Sequence, residues 1–252
     1  ASVPPSVFRI FGGLAVENAG GIFISQSGES ADLVRSCEGL GKAGAATLAI
    51  TNAGTSPLAR AAGSVLDIEA GPERAVPATK SVIGSLGAGV AMLRAASGGG
   101  DTGIEAMKAG GHARFRDHEA LVAALVAASH IYVVGRGAGF GASIETALKL
   151  KECAALHAEA YSASEVLHGP LQLVSRPMVV LVLDTGEPGT ADSLDTAEAR
   201  FRAAGSQVFR LDLAGLGTKG ATGIAAAAIL LGGVYRMVLD CGLAAGFDPD
   251  VV

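Results

Sequence analysis

Six short runs rich in β-branched and aliphatic residues recur along the chain, separated by longer segments rich in Ala and Leu. Three lie in the first half (GGIFIS, AATLAIT and SVLDIE) and three in the second (HIYVVG, MVVLVLD and QVFRLDL). This alternation is typical of parallel β-sheets flanked by helices, because each parallel connection requires a crossover. The sequence therefore predicts an α/β fold.

The two halves also repeat one order of elements. In each half a strand, a polar turn, a helix, a Gly-containing break and a second strand precede a long helix of small residues. Such repetition predicts two similar domains. We place the first domain at residues 1–97, a connecting region at 98–128 and the second domain at 129–252. The second half begins with an additional strand and helix, whose counterpart we expect to precede the first residue of this sequence.

Composition limits the classes of partner. The net charge is −5 without a block of Lys or Arg, which argues against nucleic acid or anionic lipid. Cys37, Cys153 and Cys241 lack metal-ligand spacing, which favours a reducing, cytoplasmic compartment. The most apolar segment, GIAAAAILLGGVY, meets Arg236 and Asp240 before it reaches the roughly 20 residues of a membrane span. We also find no signal peptide at the start, so no membrane association is predicted.

The stretch SQSGES follows the first strand and precedes a helix. Ligands of parallel sheets bind at such edges, and a helix N-terminus offers N–H groups to an anion. The hydroxyls of Ser25, Ser27 and Ser30 and the amide of Gln26 add neutral donors. A phosphate could therefore bind without a cationic cluster. The alternative is that Ser27 or Ser30 only caps the helix while Gly28 allows a tight turn, and the residues alone leave both readings open.

The stretch GAGFGA, at residues 137–142, matches the Gly-x-Gly-x-x-Gly/Ala fingerprint of dinucleotide-binding domains. Such a domain requires a second strand that ends in an acidic residue about 20 residues further on. The sequence AYSASEVLHGP at that place predicts no strand. We therefore interpret these glycines as a tight turn that allows another group to approach the backbone.

Charged residues gather after this turn. Glu145, Lys149 and Glu152 fall at helical spacing on one face, while Ile144 and Leu148 lie on the opposite arc. Taken alone, this pattern favours a solvated ladder of salt bridges.

Two histidines and two further acidic residues follow, His157, Glu159, Glu165 and His168, in what we predict to be a loop or broken helix. Because a Gly-Pro pair follows His168, we expect that side chain to be displayed rather than packed. A metal site at His157 and His168 lacks zinc-like spacing and is disfavoured. A carboxylate and a histidine near a phosphate turn indicate instead proton transfer next to a carbonyl group.

Together these stretches resemble a known family. The matching motifs are SQSGES, VPATKS, ALKLKE, HAEAYSASEVLHGPL and GFDPD, in this order. They are similar to those of the SIS (sugar isomerase) domain proteins, in particular the tandem-SIS isomerase half of glutamine–fructose-6-phosphate aminotransferase. The resemblance implies two SIS domains, each a parallel sheet flanked by helices in a flavodoxin-like three-layer arrangement. It also implies that a first strand–helix unit and a lysine-bearing C-terminal tail lie outside this sequence.

The resemblance implies roles for individual residues. Those implied to hold the sugar phosphate are Ser25, Gln26, Ser27 and Ser30. Val76 would line the pocket, and Ala78 stands where the aminotransferases usually have a serine.

For the chemistry, the resemblance implies that Glu152 is the base that moves a proton between C1 and C2, with Lys149 and Glu145 close by. His168, reaching in from the partner subunit of a homodimer, would act in ring opening.

The sequence thus predicts a cytoplasmic phosphosugar isomerase or deaminase without a glutaminase domain. We expect it to convert a hexosamine 6-phosphate, such as glucosamine 6-phosphate, into fructose 6-phosphate and ammonia, with no metal or redox cofactor. Three alternatives stay open: a deglycase of fructosamine phosphates, a non-catalytic regulator that binds sugar phosphate, and an NAD-dependent enzyme that uses GAGFGA. A regulator would usually carry a basic helix-turn-helix pattern, which is not seen in this sequence.

Overall fold

The computed structural model of the chain describes residues 3–11, 18–75, 77–98, 103–109, 113–168 and 178–248. The chain divides into two units. The first unit comprises Ala1–Glu73 and Ala78–Gly89, and the second comprises Arg74–Pro77 and Val90–Val252.

The first unit contains a three-stranded parallel sheet with the strand order β1-β2-β3. Its elements in chain order are helix α1 (Ser6–Phe11), strand β1 (Gly20–Ser25), helix α2 (Ala31–Lys42), strand β2 (Ala46–Thr51), helix α3 (Pro57–Ala61), strand β3 (Ser64–Asp67) and helix α4 (Lys80–Ala96), the last reaching beyond the unit at its end. Gly20 pairs with Ala46 and Ser25 with Thr51, so that the carboxyl ends of β1 and β2 are level. Phe23, Cys37, Ala49 and Leu58 form the buried core of this unit.

The second unit contains a four-stranded sheet with the order β5-β4-β6-β7, and all three pairings are parallel. Its elements are α5 (Ile104–Ala109), α6 (His118–Ala127), β4 (Ile131–Gly135), α7 (Ala138–Ala154), β5 (Ala158–Ser162), β6 (Val179–Leu183), α8 (Ala191–Ala203), β7 (Gln207–Leu211) and α9 (Gly223–Ala244). Every residue of β4 and β6 is buried, as expected for inner strands covered on both faces. The predicted α/β class with parallel sheets is confirmed.

Strand β5 corrects the sequence analysis, which placed no strand between α7 and β6. Its residues AEAYS pair with β4 from Ile131↔Ala158 to Gly135↔Ser162. Ala, Glu and Ser have low strand propensity, so this strand owes its existence to pairing with β4 rather than to its composition. The predicted loop of histidines and acidic residues therefore contains an edge strand.

Helix α9 is the long helix of small residues that was predicted for the second half. It extends over 22 residues and includes Arg236 and Asp240, which interrupt its apolar sequence. Among the described residues it is the one helix long and apolar enough to cross a membrane, with a mean hydropathy of 1.7 over its most apolar window. In that window 67 % of the residues are buried inside the protein, as in a core helix. Asp240 accepts a hydrogen bond from His118 at 2.8 Å, which joins α9 to α6.

Candidate functional site

The Ser-rich turn, residues 25–30 of the first unit, connects the carboxyl end of β1 to the start of α2. Its shape depends on Gly28, whose φ of +64° favours glycine and whose N–H donates to Ser25 Oγ at 3.1 Å. A Cβ atom on Gly28 would lie 2.1 Å from Ser56 Oγ and 3.3 Å from Thr51 Oγ1. The turn is therefore packed against the residues at the end of β2 and the start of α3.

The sequence left open whether the serine hydroxyls of this turn bind a ligand or only cap α2. Ser30 occupies the N-cap position of α2, yet its side chain makes no capping hydrogen bond. Ser27 Oγ accepts the Glu29 N–H, two positions along the chain, at 3.3 Å. The structure thus brings Ser25, Gln26, Ser27 and Ser30 into one turn at a helix N-terminus without using Ser30 as a cap. This arrangement favours a ligand-binding role for the turn.

The segment before α4 holds the predicted pocket residue Ala78, which is half-buried. Glu73 fixes this segment, because its carboxylate accepts hydrogen bonds from the Ser81 N–H at 3.0 Å and the Ser81 hydroxyl at 2.7 Å. Burial raises the pKa of Glu73, but these hydrogen bonds outweigh burial and leave the pKa below its ordinary value. Val76, also predicted to line the pocket, lies outside the described residues.

In the second unit the predicted catalytic residues on α7 meet. Lys149 Nζ lies 2.6 Å from Glu152 Oε2 and 3.5 Å from Glu145 Oε1. Tyr235, which belongs to α9, donates its phenolic hydrogen to Glu145 Oε1 at 3.0 Å. We call Glu145, Lys149, Glu152 and Tyr235 the Lys149 cluster. Sequence reasoning did not single out Tyr235, although a tyrosine in a helix of small apolar residues needs a partner for its hydroxyl.

Burial of the Lys149 cluster contradicts the predicted solvated ladder. The Lys149 side chain is 4 % exposed and that of Glu145 is 16 % exposed. On the other arc of α7, Ile144 is 51 % exposed and Leu148 is 39 % exposed. The charged face of α7 is buried because helix α9 packs against it, where the Tyr235 hydroxyl donates to Glu145. A buried ion pair contributes little to stability on balance, so a role in chemistry is the stronger explanation for the cluster.

The charge state of Lys149 follows from its partners. Burial lowers the pKa of the Lys149 ammonium, but the hydrogen bond to Glu152 and the negative charges of Glu145 and Glu152 outweigh burial. The pKa therefore lies above its ordinary value, and Lys149 is a cation at neutral pH. Glu152 is the outermost member of the cluster, with 35 % of its side chain exposed. Its carboxylate can thus reach a ligand while it stays paired with Lys149.

The two predicted histidines, His157 and His168, lie outside the helices α7 and α9 that carry this cluster. His157 precedes β5 and His168 lies in the turn that follows β5, and both are exposed. No hydrogen bond or ion pair between described residues joins His168 to the Lys149 cluster; its backbone N–H donates to Glu165 at 3.1 Å. Within the described ranges, no group of three or more His, Cys, Asp or Glu residues is arranged to hold a metal ion.

The predicted tight turn at residues 137–142 is only partly correct, because Gly139 and Gly141 lie inside α7 and only Gly137 precedes it. The predicted close approach to the backbone is found at Gly137. Gly137 precedes the helix with a φ of +56°, and a Cβ atom there would lie 2.2 Å from Glu187 Oε2. That oxygen accepts the Ala138 N–H at 2.9 Å. The next strand, β5, ends at Ser162 and not at an acidic residue, so a dinucleotide would lack the usual carboxylate for its ribose.

Comparisons with known proteins agree with this architecture. The sequence profile of the family described as SIS domain matches residues 18–95 and 124–214. The chain is 35 % identical over 208 residues to glutamine–fructose-6-phosphate aminotransferase (isomerizing) of Methanothermobacter thermautotrophicus, covering 81 % of this chain and 35 % of that protein. The chain therefore spans about a third of the length of this curated relative.

Solved structures give the same picture. A protein of Silicibacter pomeroyi DSS-3, assigned to the phosphosugar isomerases, has a TM-score of 0.86 and 32 % identity, covering 99 % of this chain and 79 % of its own. Glucosamine-6-phosphate deaminase of Thermotoga maritima has a TM-score of 0.80 over 98 % of this chain and 77 % of its own. At 20 % identity, the second comparison supports the fold alone.

Proposed function

The chain belongs to the SIS-domain family, and from that premise we propose that it is a phosphosugar enzyme that interconverts an aldose and a ketose. The specific reaction that we propose is the conversion of a hexosamine 6-phosphate and water into fructose 6-phosphate and ammonia. The observation that carries the proposal is the buried Lys149 cluster, which presents Glu152 at its outer edge.

The Ser-rich turn supports binding of the phosphate group. Its hydroxyls lie at the N-terminus of the 12-residue helix α2, which carries a partial positive charge. Glu29 and Asp32 add negative charge nearby, so recognition must depend on directed hydrogen bonds rather than on a net positive field. In the proposed complex Ser25, Gln26, Ser27 and Ser30 hold the phosphate oxygens.

The Lys149 cluster supports the proton transfer. Isomerisation requires a base that removes the proton from C2 of the open-chain sugar and returns it to C1, through an enediol or enolamine. We assign this role to Glu152, while the Lys149 ammonium orients its carboxylate through the 2.6 Å hydrogen bond. Glu145 and Tyr235 hold Lys149 from the other side.

Ring opening precedes this proton transfer, and we assign it to His168 of the partner subunit in a homodimer. Its exposure and its separation from the Lys149 cluster within the second unit agree with action across subunits. Hydrolysis of the C2 iminium formed after proton transfer then releases ammonia and leaves the ketose. The 35 % identity to an aminotransferase that, by its name, acts on fructose 6-phosphate supports an amino sugar of this series as substrate.

The experiment is to incubate the protein with glucosamine 6-phosphate and to measure ammonia and fructose 6-phosphate together. We expect both products in equal amounts. The variant Glu152→Gln should lower kcat by about 10²- to 10⁴-fold, the usual contribution of a general base. Glu105→Gln is the matched control, because Glu105 is exposed and its carboxylate pairs with the exposed Lys108.

Three results would contradict the proposal. Unchanged turnover by Glu152→Gln would remove the assigned base. Binding of the sugar phosphate without turnover by the unaltered protein would favour the regulatory alternative. Ammonia or free amine from a fructosamine 6-phosphate, with none from glucosamine 6-phosphate, would favour the deglycase.

A further inference from the structure

Lys149 lies between two carboxylates at unequal distances. Its Nζ atom is 2.6 Å from Glu152 Oε2 and 3.5 Å from Glu145 Oε1. All three side chains belong to α7, with Glu145 four residues before Lys149 and Glu152 three residues after it. Because helical neighbours at both spacings can form an ion pair, α7 alone allows the ammonium to choose either carboxylate. The preference for Glu152 therefore needs a cause outside this helix.

Tyr235 of α9 supplies such a cause. Its hydroxyl donates to Glu145 Oε1 at 3.0 Å, and this is the same oxygen that faces Lys149. A hydrogen bond donated to a carboxylate oxygen stabilises its negative charge, so Glu145 attracts the ammonium less strongly. Lys149 therefore forms its short hydrogen bond with Glu152.

The packing of α9 on α7 keeps Tyr235 in register with Glu145. Gly242 follows Tyr235 by seven residues on the same face of α9. A Cβ atom on Gly242 would lie 2.5 Å from the carbonyl oxygen of Cys153 in α7, so the two helices are in close contact there. Tyr235 and Gly242 thus meet α7 at two places, and these contacts hold the phenolic hydroxyl at Glu145.

From these contacts we propose that Tyr235 is a positioning residue, which acts through Glu145 to direct the Lys149 ammonium to Glu152. The inference rests on the proposed function in one respect, because Glu152 is there the base. Without the Tyr235 hydroxyl, Glu145 competes more strongly for Lys149. The ammonium then moves away from Glu152, whose carboxylate loses a fixed orientation and part of its positive partner.

The first test needs no turnover and follows the side-chain Nζ signals of protein labelled with 15N-lysine. In Tyr235→Phe we expect the Lys149 signal to move, while the signal of the exposed Lys108 stays in place. Tyr161→Phe is the matched control, because the Tyr161 hydroxyl also donates to a carboxylate, that of Glu159, at 2.6 Å, but lies on β5. This control should leave the Lys149 signal unchanged.

The second test is kinetic and uses glucosamine 6-phosphate. Tyr235→Phe should lower kcat about tenfold and change KM less than about threefold, because the lost hydrogen bond orients the base and does not bind the substrate. The acid limb of the profile of kcat against pH should move up by about 0.5 pH units, since a carboxylate with a weaker positive partner is protonated more readily. Tyr161→Phe should change neither quantity.

The variant Glu145→Gln separates positioning from packing. It removes the charge through which Tyr235 acts, so adding Tyr235→Phe to it should change kcat less than about twofold. A hydroxyl that only supports the fold would lower kcat by the same factor in both backgrounds. The Lys149 signal gives the same comparison without substrate: adding Tyr235→Phe to Glu145→Gln should leave the signal in place.

The outcomes distinguish this inference from the proposed function. A Lys149 signal that Tyr235→Phe leaves in place would overturn the positioning role, whatever the activity of the protein. An equal effect of Tyr235→Phe with and without Glu145→Gln would overturn it as well. A Lys149 signal that moves in a protein without turnover of glucosamine 6-phosphate would support the positioning role and contradict the proposed reaction instead.

Discussion

The Ser-rich turn (residues 25–30) and the segment 184–190, which we call the acidic turn, each connect a parallel strand to the helix that follows it. In the first, the Gly28 N–H donates to Ser25 Oγ at 3.1 Å; in the second, the Gly186 N–H donates to Asp184 Oδ1 at 2.9 Å. Both glycines have a positive φ, +64° and +61°. Each turn therefore contains a glycine with a positive φ whose N–H donates to a side chain that lies just before it in the sequence.

Their side chains differ in charge and in use. The Ser-rich turn presents hydroxyls, and Ser30 leaves the start of α2 without a side-chain cap. In the acidic turn Asp184 pairs with Arg210 at 2.8 Å, and Glu187 fills the start of α7. The helix that follows the acidic turn, α8, begins after Thr190, whose side chain makes no capping hydrogen bond. The comparison teaches that the two copies of this strand–turn–helix unit share an N-cap residue without a side-chain hydrogen bond and differ in the charge of the turn.

The largest expected effect is a loss of stability that is greater for a substitution at Gly28 than for one at Gly186. Gly28→Ala should lower the free energy of unfolding by about 3 kcal/mol, because a positive φ costs ~1–2 kcal/mol and the new Cβ overpacks against Ser56. Gly186→Ala should cost only about 1 kcal/mol, because its Cβ would lie 3.8 Å from the nearest atom, Thr222 Cγ2. Urea unfolding of both variants measures the difference. Equal losses of stability in the two variants would contradict the tighter packing around Gly28.

A second effect is expected for the hydroxyls of the Ser-rich turn. The double variant Ser27→Ala and Ser30→Ala should weaken binding of fructose 6-phosphate about 10²- to 10⁴-fold, since hydrogen bonds to charged groups contribute roughly 1.5–3 kcal/mol each. Calorimetric titration gives the Kd. The matched control is Ser193→Ala in α8, whose hydroxyl donates to the Thr190 carbonyl at 2.8 Å. Unchanged affinity in the double variant would mean that these hydroxyls do not bind the phosphate group and serve only the structure of the turn.

The smallest effect concerns the acidic turn. Thr185→Val should raise the free energy of unfolding by about 1 kcal/mol, because it removes a buried hydroxyl without a partner and keeps the side-chain volume. Thermal and urea unfolding both check the sign. A loss of stability would mean that the hydroxyl contributes to the folded state, and the contrast between the turns would then have to exclude Thr185.

The strands show how far sequence reasoning reaches. The six β-branched runs all form strands in the structure. They could be predicted because strands that are buried in a parallel sheet are rich in β-branched and aliphatic residues. Strand β5 escaped prediction because AEAYS has no such composition, and pairing with β4 is a property of the folded chain. The Ser-rich turn was recognised because strand, turn and helix are contiguous in sequence.

The candidate site shows where that reasoning ends. Helical spacing correctly placed Glu145, Lys149 and Glu152 on one face of α7, but spacing does not reveal which face a distant element covers. That depends on α9, which brings Tyr235 to Glu145 across 90 positions of sequence. Likewise Gly137 indicated a close approach to the backbone, whereas only the fold identifies Glu187 as the group that approaches.

The close contact between Gly28 and Ser56 links two residues that are distant in sequence. Ser56 also caps α3 by accepting the Ala59 N–H at 3.3 Å, so its side chain has little freedom to move aside. Enlarging Gly28 therefore requires a smaller residue at position 56, whereas a larger residue at position 56 cannot be accommodated by any change at Gly28, which has no side chain. The shape of the Ser-rich turn is thus controlled in part by the side chain that caps α3.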